Sequence, residues 1–417
     1  MQLCKYYPVA NDRMGIIWTL SSIEGACVIE FGPAGTTHYA VEGVGSLNGN
    51  DKAKIYSTHM DQSDVTFGKY DRIEKAIVEI DENIKPKYMF VMASSISSII
   101  GADIESVCDT LKDSVNAKLI PITTGGLKDD YNVGVEYMLT TLVKEITKDT
   151  ENRDINKYNI IGSNIDKYNY LSDVEELKRT MKELFNKDVN TVFTSDTSIE
   201  SIENAANASL NIVVRKEGLK AAQYMKEKYN IPYVYNSLYG LTNMTNFIRA
   251  VEEIEGYNLN EEKYKTEVDI VRSNIINLKR RFYFYEGNKK CAVFGDYDTV
   301  VGLSDLLNEL GLETDRREVL YREYTDEDLI TGGNEIDRMK YLKNTELLGL
   351  FGDGPSLDMK HNSKLDLQVS NPNLDRVNIY PLTPYIGFRG SLYIIEQILN
   401  TKLKYKISVE FIYAYFS

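Results

Sequence analysis

The feature that most constrains the fold is a repeated alternation of short apolar runs with amphipathic helical stretches. The apolar runs are nearly continuous, which is typical of strands buried on both faces of a parallel sheet. Such a pattern predicts strands at residues 23–30, 88–93, 118–123, 159–162, 190–194, 210–214, 290–295, 346–351 and 377–380.

Amphipathic stretches between these runs predict helices at 172–187, 218–229 and 298–310. Ser172 and Asp173 resemble a helix cap, and Gly311 is placed to end the third helix. Pro232 follows the second helix closely, where proline disfavours a helical residue before it. Strands that alternate with helices in this way indicate a doubly wound α/β fold.

Two polar segments, 148–156 and 272–288, interrupt the pattern and predict domain boundaries. They divide the chain into three α/β domains, at 1–150, 151–285 and 286–417. A chain of 417 residues is long enough for two or three domains with separate cores. We expect three Rossmann-like domains with parallel sheets around a central cleft.

The charge and the cysteines narrow the class of protein. The chain has 62 acidic and 48 basic residues, a net charge of −14, which argues against a surface for duplex nucleic acid. We find no apolar run near the ~20 residues of a membrane span and no signal-peptide pattern. Four scattered cysteines (Cys4, Cys27, Cys108 and Cys291) without a C-x-x-C pair fit a reducing compartment. We expect a soluble, cytoplasmic protein.

A glycine-rich turn follows the first predicted strand, with the sequence FGPAGTTHY at 31–39. Gly32 and Gly35 suit a turn that needs backbone freedom. His38 is a candidate general acid at neutral pH, although a structural histidine with satisfied hydrogen bonds is the alternative. Asp12 and Glu30 are nearby carboxylates that offer coordination or proton transfer.

Another polar turn, SSISSIIGADI at 94–104, follows the strand at 88–93. The carboxyl ends of parallel strands are where such sheets present ligand-binding groups, so Ser95 is a candidate binding residue. Helix capping and turn formation are the alternative role for these serines. A third polar segment, 58–68, ends in Val-Thr-Phe-Gly. A turn exposed to solvent, without a binding role, is the alternative for its acidic residues.

These segments resemble the nitrogenase component 1 family. The turn at 31–39 is similar to its His-Gly-Pro-x-Gly-Cys, with Phe31 in place of the histidine and Thr36 in place of the cysteine. The segment 94–104 resembles Cys-x-x-x-x-Ile-Gly-Asp-Asp-Ile, with Ser95 in place of the cysteine. Further similar segments follow in family order at 58–68, 159–162, 208–214, 228–233, 292–296 and 384–391.

The resemblance is to beta-type subunits, such as those of the nitrogenase MoFe protein and the B-type subunit of dark-operative protochlorophyllide reductase. It implies an iron–sulfur cluster, shared with or supplied by a partner subunit. The implied cofactor-binding residues are Cys4, Cys27, Gly32, Gly35, Thr36 and Ser95, with Cys4 and Cys27 as metal ligands. Cys27 precedes the turn and is expected to project toward the same pocket.

The family's dinitrogen-reducing cofactor needs a cysteine where this chain has Val214 or Arg215, and a late histidine. The late histidine here, His361, lies in a polar run and is expected to face solvent. Dinitrogen reduction is therefore not expected of this chain.

The implied function is that of a reductase subunit that receives low-potential electrons from an ATP-dependent iron–sulfur protein. Its expected partner is a homologous component 1-like subunit or a second copy, with no nucleic acid and no membrane. ATP hydrolysis would belong to a partner, because the sequence has no Walker A motif. The alternative is a catalytically inert scaffold or binding module for a metallocofactor, a tetrapyrrole or another small molecule.

Overall fold

The computed structural model describes residues 9–46, 52–321, 329–374, 376 and 380–401. Cys4 and most of the predicted strand at 377–380 lie outside these residues. The described strands are β1 (Ile23–Glu24), β2 (Cys27–Phe31), β3 (Lys54–Ser57), β4 (Tyr88–Ala93), β5 (Lys118–Ile122), β6 (Asp154–Ser163), β7 (Asp188–Thr194), β8 (Thr197–Ser198), β9 (Ala208–Val213), β10 (Tyr233–Tyr235), β11 (Lys290–Gly295), β12 (Glu313–Val319), β13 (Ile330–Thr331), β14 (Glu346–Gly352) and β15 (Asn362–Gln368).

Helices connect most of these strands. They are α1 (Asp12–Ser21), α2 (Ala34–Ser46), α3 (Gln62–Phe67), α4 (Asp71–Ile84), α5 (Ser95–Ile99), α6 (Ile104–Leu111), α7 (Tyr131–Glu145), α8 (Tyr170–Phe185), α9 (Ile199–Glu203), α10 (Leu219–Tyr229), α11 (Gly240–Glu252), α12 (Glu261–Tyr283), α13 (Tyr297–Glu309), α14 (Glu335–Asn344), α15 (Gly354–Asp358) and α16 (Gly387–Asn400).

In the described part of the chain, three larger sheets are parallel throughout and follow a common topological plan, with one more strand in the third. The orders are β3-β2-β4-β5, β10-β9-β6-β7 and β13-β12-β11-β14-β15. In each sheet the chain first moves from its first strand to one neighbour, and later crosses to the other side of that first strand. The order therefore reverses between β2 and β4, between β6 and β9, and between β11 and β14. Such switch points leave a crevice at the carboxyl ends of the strands, where ligands bind in doubly wound proteins.

The described chain divides into two compact units. One comprises the residues up to Tyr170 together with Asp188–Tyr235, and it holds the first two of these sheets. The other comprises Leu171–Lys187 and the residues from Asn236 onward, and it holds the third sheet. Each of the three sheets lies within one of the three predicted domain segments. The boundaries of that three-domain division stay a prediction.

The bounds of the elements agree closely with several of the predicted ones. The strands predicted at 88–93 and 290–295 have those bounds as β4 and β11. The helix predicted at 172–187 begins two residues earlier, at Tyr170, so Ser172 and Asp173 lie inside its first turn. The polar segment 272–288 is not an open linker, because α12 continues through it to Tyr283 and buries its apolar side.

An apolar layer lies on one face of the first sheet. Alternate residues of β2 and β4 point into it and pack against α4 and α6. Its buried members include Cys27, Ile29, Phe31, Met89, Val91, Ala93, Ile73, Ile77, Ile104, Val107 and Cys108. The intervening residues of β2 point to the other face, so Glu30 meets α1 rather than this layer.

No helix in the described ranges combines the length and the apolar character that crossing a membrane requires.

A buried carboxylate, Glu203 at the end of α9, joins the first sheet to the segment that carries the second. It accepts hydrogen bonds from Lys87 and from the Tyr88 hydroxyl, both at 2.6 Å, and pairs with Lys148 at 3.0 Å. Burial acts to raise the pKa of Glu203, but these hydrogen bonds and the charge of Lys148 outweigh burial and lower the pKa to about 2.

Glu203 is expected to make folding stability depend on pH. Its folded-state pKa lies below the ordinary value of 4.5, so its stabilisation is present above pH 4.5 and is lost as the pH falls toward 2. Glu203→Gln should therefore lower the free energy of unfolding most at pH 7, with a difference from the unmodified protein that shrinks between pH 4.5 and pH 2. Urea unfolding followed by circular dichroism at several pH values measures this difference.

The matched control is Glu200→Gln, on the exposed side of the same short helix. This substitution should change stability little at any pH. A difference for Glu203→Gln that stays constant from pH 7 to pH 3 would contradict the assignment.

Candidate functional site

The candidate site is the switch point between β2 and β4, where the glycine-rich turn meets the serine-rich one. The Ser94 amide donates to the Phe31 carbonyl at 3.2 Å. A Cβ atom on Gly32 would lie 2.5 Å from the Ser94 Cβ, so the two turns are in contact. Gly32 is required there for lack of space, since its backbone does not adopt a positive φ.

The ends of β3 and β5 close around the same place. The Thr58 hydroxyl accepts from the Gly32 amide at 3.1 Å, and the Met60 amide donates to the Gly32 carbonyl at 2.9 Å. On the other side, a Cβ on Gly125 would lie 2.4 Å from the Ser98 Cβ. Segments that follow all four strands of the first sheet therefore converge at its carboxyl edge.

A buried ion pair lies under the glycine-rich turn. The Arg13 guanidinium donates to both carboxylate oxygens of Glu30, at 2.7 Å to Oε2, and the side chains are 4% and 0% exposed. The Thr37 hydroxyl donates to the same carboxylate, and Arg13 also donates to the Thr36 carbonyl at 3.2 Å. Removing one partner of such a pair typically costs about 3–5 kcal/mol. Glu30 is thus occupied in holding the turn.

Thr36 and Ser95, where the resemblance places cysteines, both lie in first turns of helices. The Thr36 hydroxyl lies in the first turn of α2 and donates to the Pro33 carbonyl at 2.9 Å. Ser95 is the first residue of α5 and is half-buried. The capping role falls to its neighbour Ser94, whose hydroxyl accepts from the Ser97 amide at 3.1 Å. Gly35 is exposed, and a Cβ there would touch nothing within 4 Å.

The structure does not bring Cys27 to the turn. Cys27 is the first residue of β2, paired with Met89, and four residues before the strand's end. At about 3.3 Å per residue the strand places it roughly 13 Å from Phe31. Its side chain lies in the apolar layer, where burial raises the pKa of the thiol to about 11. Such a thiol stays protonated at neutral pH, whereas metal ligation uses the thiolate.

The two histidines considered in the sequence analysis, His38 and His361, differ in their exposure to solvent. His38 lies on α2 with its side chain 72% exposed, and its Nε2 is 2.9 Å from Oε1 of Glu42. Its role as a general acid stays a prediction. His361 was expected to face solvent and does not: its side chain is 15% exposed, with Nδ1 at 2.9 Å from the Ser363 hydroxyl and Nε2 at 3.1 Å from the Leu357 carbonyl.

The described side chains at the first switch point do not fit a resident iron–sulfur cluster. Cysteine thiolates hold such clusters, and this edge presents neutral hydroxyls from Thr36, Ser95 and Thr58. Across the described ranges, no group of three or more His, Cys, Asp or Glu side chains is arranged to hold a metal ion. Cys4 lies outside those ranges.

At the second switch point, a buried arginine, Arg215, lies at one of the two positions, with Val214, where the resemblance places the family's cofactor cysteine. Arg215 lies two residues beyond the end of β9 and is fully buried. Its Nη1 lies 2.8 Å from Asp166 and its Nε lies 2.8 Å from Glu217. Gly162, with φ +100°, makes room for the side chain, because a Cβ there would lie 2.4 Å from the Arg215 Cγ. These residues do not fit a thiolate-held cofactor.

Sequence reasoning missed Arg13, Asp166 and Glu217 as members of these two edges. The available signal lay in the partners of these residues, Glu30 and Arg215. Glu30 lies within the apolar strand Cys27–Phe31, and Arg215 directly follows the apolar run Leu210–Val214. A charge in such a place must be paired when it is buried, and the partner is distant in sequence.

The contact between the two turns predicts opposite responses at the two glycines. Gly32→Ala should destabilise the protein by about 1–3 kcal/mol, because the added methyl group overlaps Ser94. Gly35→Ala is the matched control: it adds the same methyl group in open space on the first turn of α2 and should be neutral or slightly stabilising. Urea unfolding of both variants measures the two effects. Equal stability of the two variants would contradict the close packing of the turns.

The sequence of this chain is similar to those of several known proteins. The family model described as nitrogenase component 1 type oxidoreductase matches residues 12–403. The nitrogenase iron-molybdenum cofactor biosynthesis protein NifE of Clostridium pasteurianum is 28% identical over 302 residues, which cover 71% of this chain and 64% of that protein. The match thus spans just under two thirds of that relative's length. The nitrogenase molybdenum-iron protein beta chain of Methanococcus maripaludis is 23% identical over 444 residues, covering 95% and 93% of the two chains.

The fold of this chain is also similar to that of a solved nitrogenase structure. A solved structure of nitrogenase Cp1 at pH 6.5 superposes with a TM-score of 0.80 at 18% identity, over 96% of this chain and 93% of that one. At this identity the likeness establishes the fold. With the family model matched over most of its length, this chain belongs to the nitrogenase component 1 type oxidoreductase family.

Proposed function

We propose that this chain is a supporting subunit of a nitrogenase component 1-like complex, in which a homologous subunit supplies the metal-binding thiolates. The observation that carries the proposal is the kind of side chain found at the two switch points, where no described group is a metal-binding thiolate. The first edge presents hydroxyls, and the second is filled by Arg215 with its two carboxylates. The fold that frames both edges is retained over nearly the whole chain.

An exposed apolar rim around the first edge supports docking of a partner there. Tyr39, Phe67, Ile99 and Leu127 follow the ends of β2, β3, β4 and β5, and their side chains are 53%, 70%, 70% and 53% exposed. The carboxyl ends of parallel strands lie at one edge of the sheet, so the four side chains belong to the segments that leave the candidate site. Exposed apolar side chains around a polar crevice are typical of surfaces that bind another chain.

In the reductase form of this proposal, the partner's cluster receives low-potential electrons from an ATP-dependent iron–sulfur protein. This chain would then shape the wall of the cluster pocket. Its first switch point offers hydroxyl groups and backbone amides, which suit a polar contact with a cluster or substrate held by the partner. The Arg13–Glu30 pair would keep that wall rigid.

A scaffold role in metallocofactor assembly is the second candidate. It is favoured by the likeness to a protein described as acting in iron-molybdenum cofactor biosynthesis. Arg215 weighs against storage of a cofactor at the second switch point of this chain, because the guanidinium fills that position. Any scaffold function would therefore also depend on the subunit that pairs with it.

Docking at the rim can be tested by charge substitution. The chain is expressed alone and with a component 1-like homologue encoded in the same genome, and the mass of each preparation is measured by light scattering after gel filtration. Phe67→Glu/Ile99→Glu should abolish the complex, because two buried apolar contacts become unpaired carboxylates.

Ile336→Glu is the matched control, since Ile336 is 39% exposed on α14, far in sequence from the first sheet. This variant should form the complex as the unmodified chain does. A complex that survives the double substitution, or an unmodified chain that stays a monomer in both preparations, would contradict the proposal.

A further inference from the structure

The outer face of α12 combines unpaired cations with exposed aromatic side chains. The helix buries one side through Tyr264, Val268, Val271, Ile275, Leu278 and Phe282. Ile276, Arg280 and Tyr283 follow a spacing of four and three residues, which places them on one face of the helix away from that side, and Lys279 lies at the border between the two.

The apolar members of this face are exposed to an unusual degree. The side chains of Ile276 and Tyr283 are 44% and 84% exposed, and Phe284, next after the helix, is 48% exposed. The rings of Tyr283 and Phe284 meet edge to face, with centroids 5.2 Å apart. This contact holds the two rings as a small preformed aromatic surface at the end of the helix.

The cations of this face are available for a partner. Within the ranges that the structure describes, neither Lys279 nor Arg280 forms an ion pair or a side-chain hydrogen bond. Two other arginines of the helix are engaged: Arg272 with Asp269 at 3.4 Å, and Arg281 with the Leu399 carbonyl at 3.1 Å. The chain as a whole carries a net charge of −14, so a basic face stands out from its surroundings.

We propose that the α12 face formed by Ile276, Lys279, Arg280, Tyr283 and Phe284 is a docking surface for an acidic segment of another protein. Tyrosine and arginine are the residues that most often dominate protein–protein binding energy, and here they lie one turn apart. Carboxylates of the partner would pair with Lys279 and Arg280, while an apolar side chain would pack on Ile276 and Tyr283. This surface lies in the unit of the third sheet, whereas the rim lies on segments of the first sheet, in the other unit.

A second copy of this chain does not suit the face. A two-fold contact would bring the same patch from each copy together and place Lys279 and Arg280 opposite their own counterparts. Like charges that face each other across an interface oppose association. The two-fold arrangement is thus disfavoured, and the proposed occupant is a different chain with acidic character.

The test uses a fluorescein-labelled 18-residue peptide of glutamate and leucine, and the same peptide with every glutamate replaced by glutamine. Fluorescence anisotropy should show binding of the glutamate peptide, weakened several-fold between 50 and 200 mM salt. Lys279→Glu/Arg280→Glu and Tyr283→Ser should each weaken binding about tenfold or more. Both variants change exposed side chains, and their circular dichroism should match that of the unmodified protein.

Lys263→Glu/Lys265→Glu is the matched control, because it changes the net charge equally at the exposed beginning of the same helix. It should bind the peptide as the unmodified protein does. Three results would overturn the proposal: no binding of the glutamate peptide, equal binding of the glutamine peptide, or equal loss in the control and the Lys279/Arg280 variant.

Discussion

The ion pair between Arg13 and Glu30 fixes the position of the candidate site. Glu30 is the only charged residue of β2, and it is buried where that strand meets α1. Because the same guanidinium reaches the Thr36 carbonyl and the same carboxylate accepts from Thr37, one pair ties the strand, the helix and the turn together. A buried carboxylate without its arginine would be strongly destabilising, so the turn, and with it the approach to Ser94, depends on this contact.

The same topological plan, found in three sheets, frames three different switch points. The first, between β2 and β4, is lined by hydroxyls and backbone groups around Gly32. The second is filled by the guanidinium of Arg215. At the third, Asp296 and Asp353 follow β11 and β14 and cap the helices that begin there. The described edges of this family fold thus present hydroxyls, a guanidinium and helix-capping carboxylates, and this is the basis of the proposed supporting role.

Much of the fold was predictable, because central strands such as β4 and β11 are buried on both faces and appear as continuous apolar runs. Two edge strands, β3 and β15, were not predictable, because they are only half-buried and polar residues interrupt their apolar ones. The turns of the candidate site could be located from glycines and serines that follow apolar runs. Their supporting partners could not, because Arg13 and Asp166 contact residues 17 and 49 positions away and no local pattern marks such a pairing.

The central claim is that this chain does not hold a metal cluster by itself. Its most direct test is the iron and acid-labile sulfide content of the chain after anaerobic purification, alone and with the homologous subunit. The account predicts a colourless chain without bound iron alone, and iron with sulfide in the pair. Stoichiometric iron and sulfide on the chain alone, lost in Cys4→Ala or Cys27→Ala, would contradict it and show that the chain carries its own redox centre.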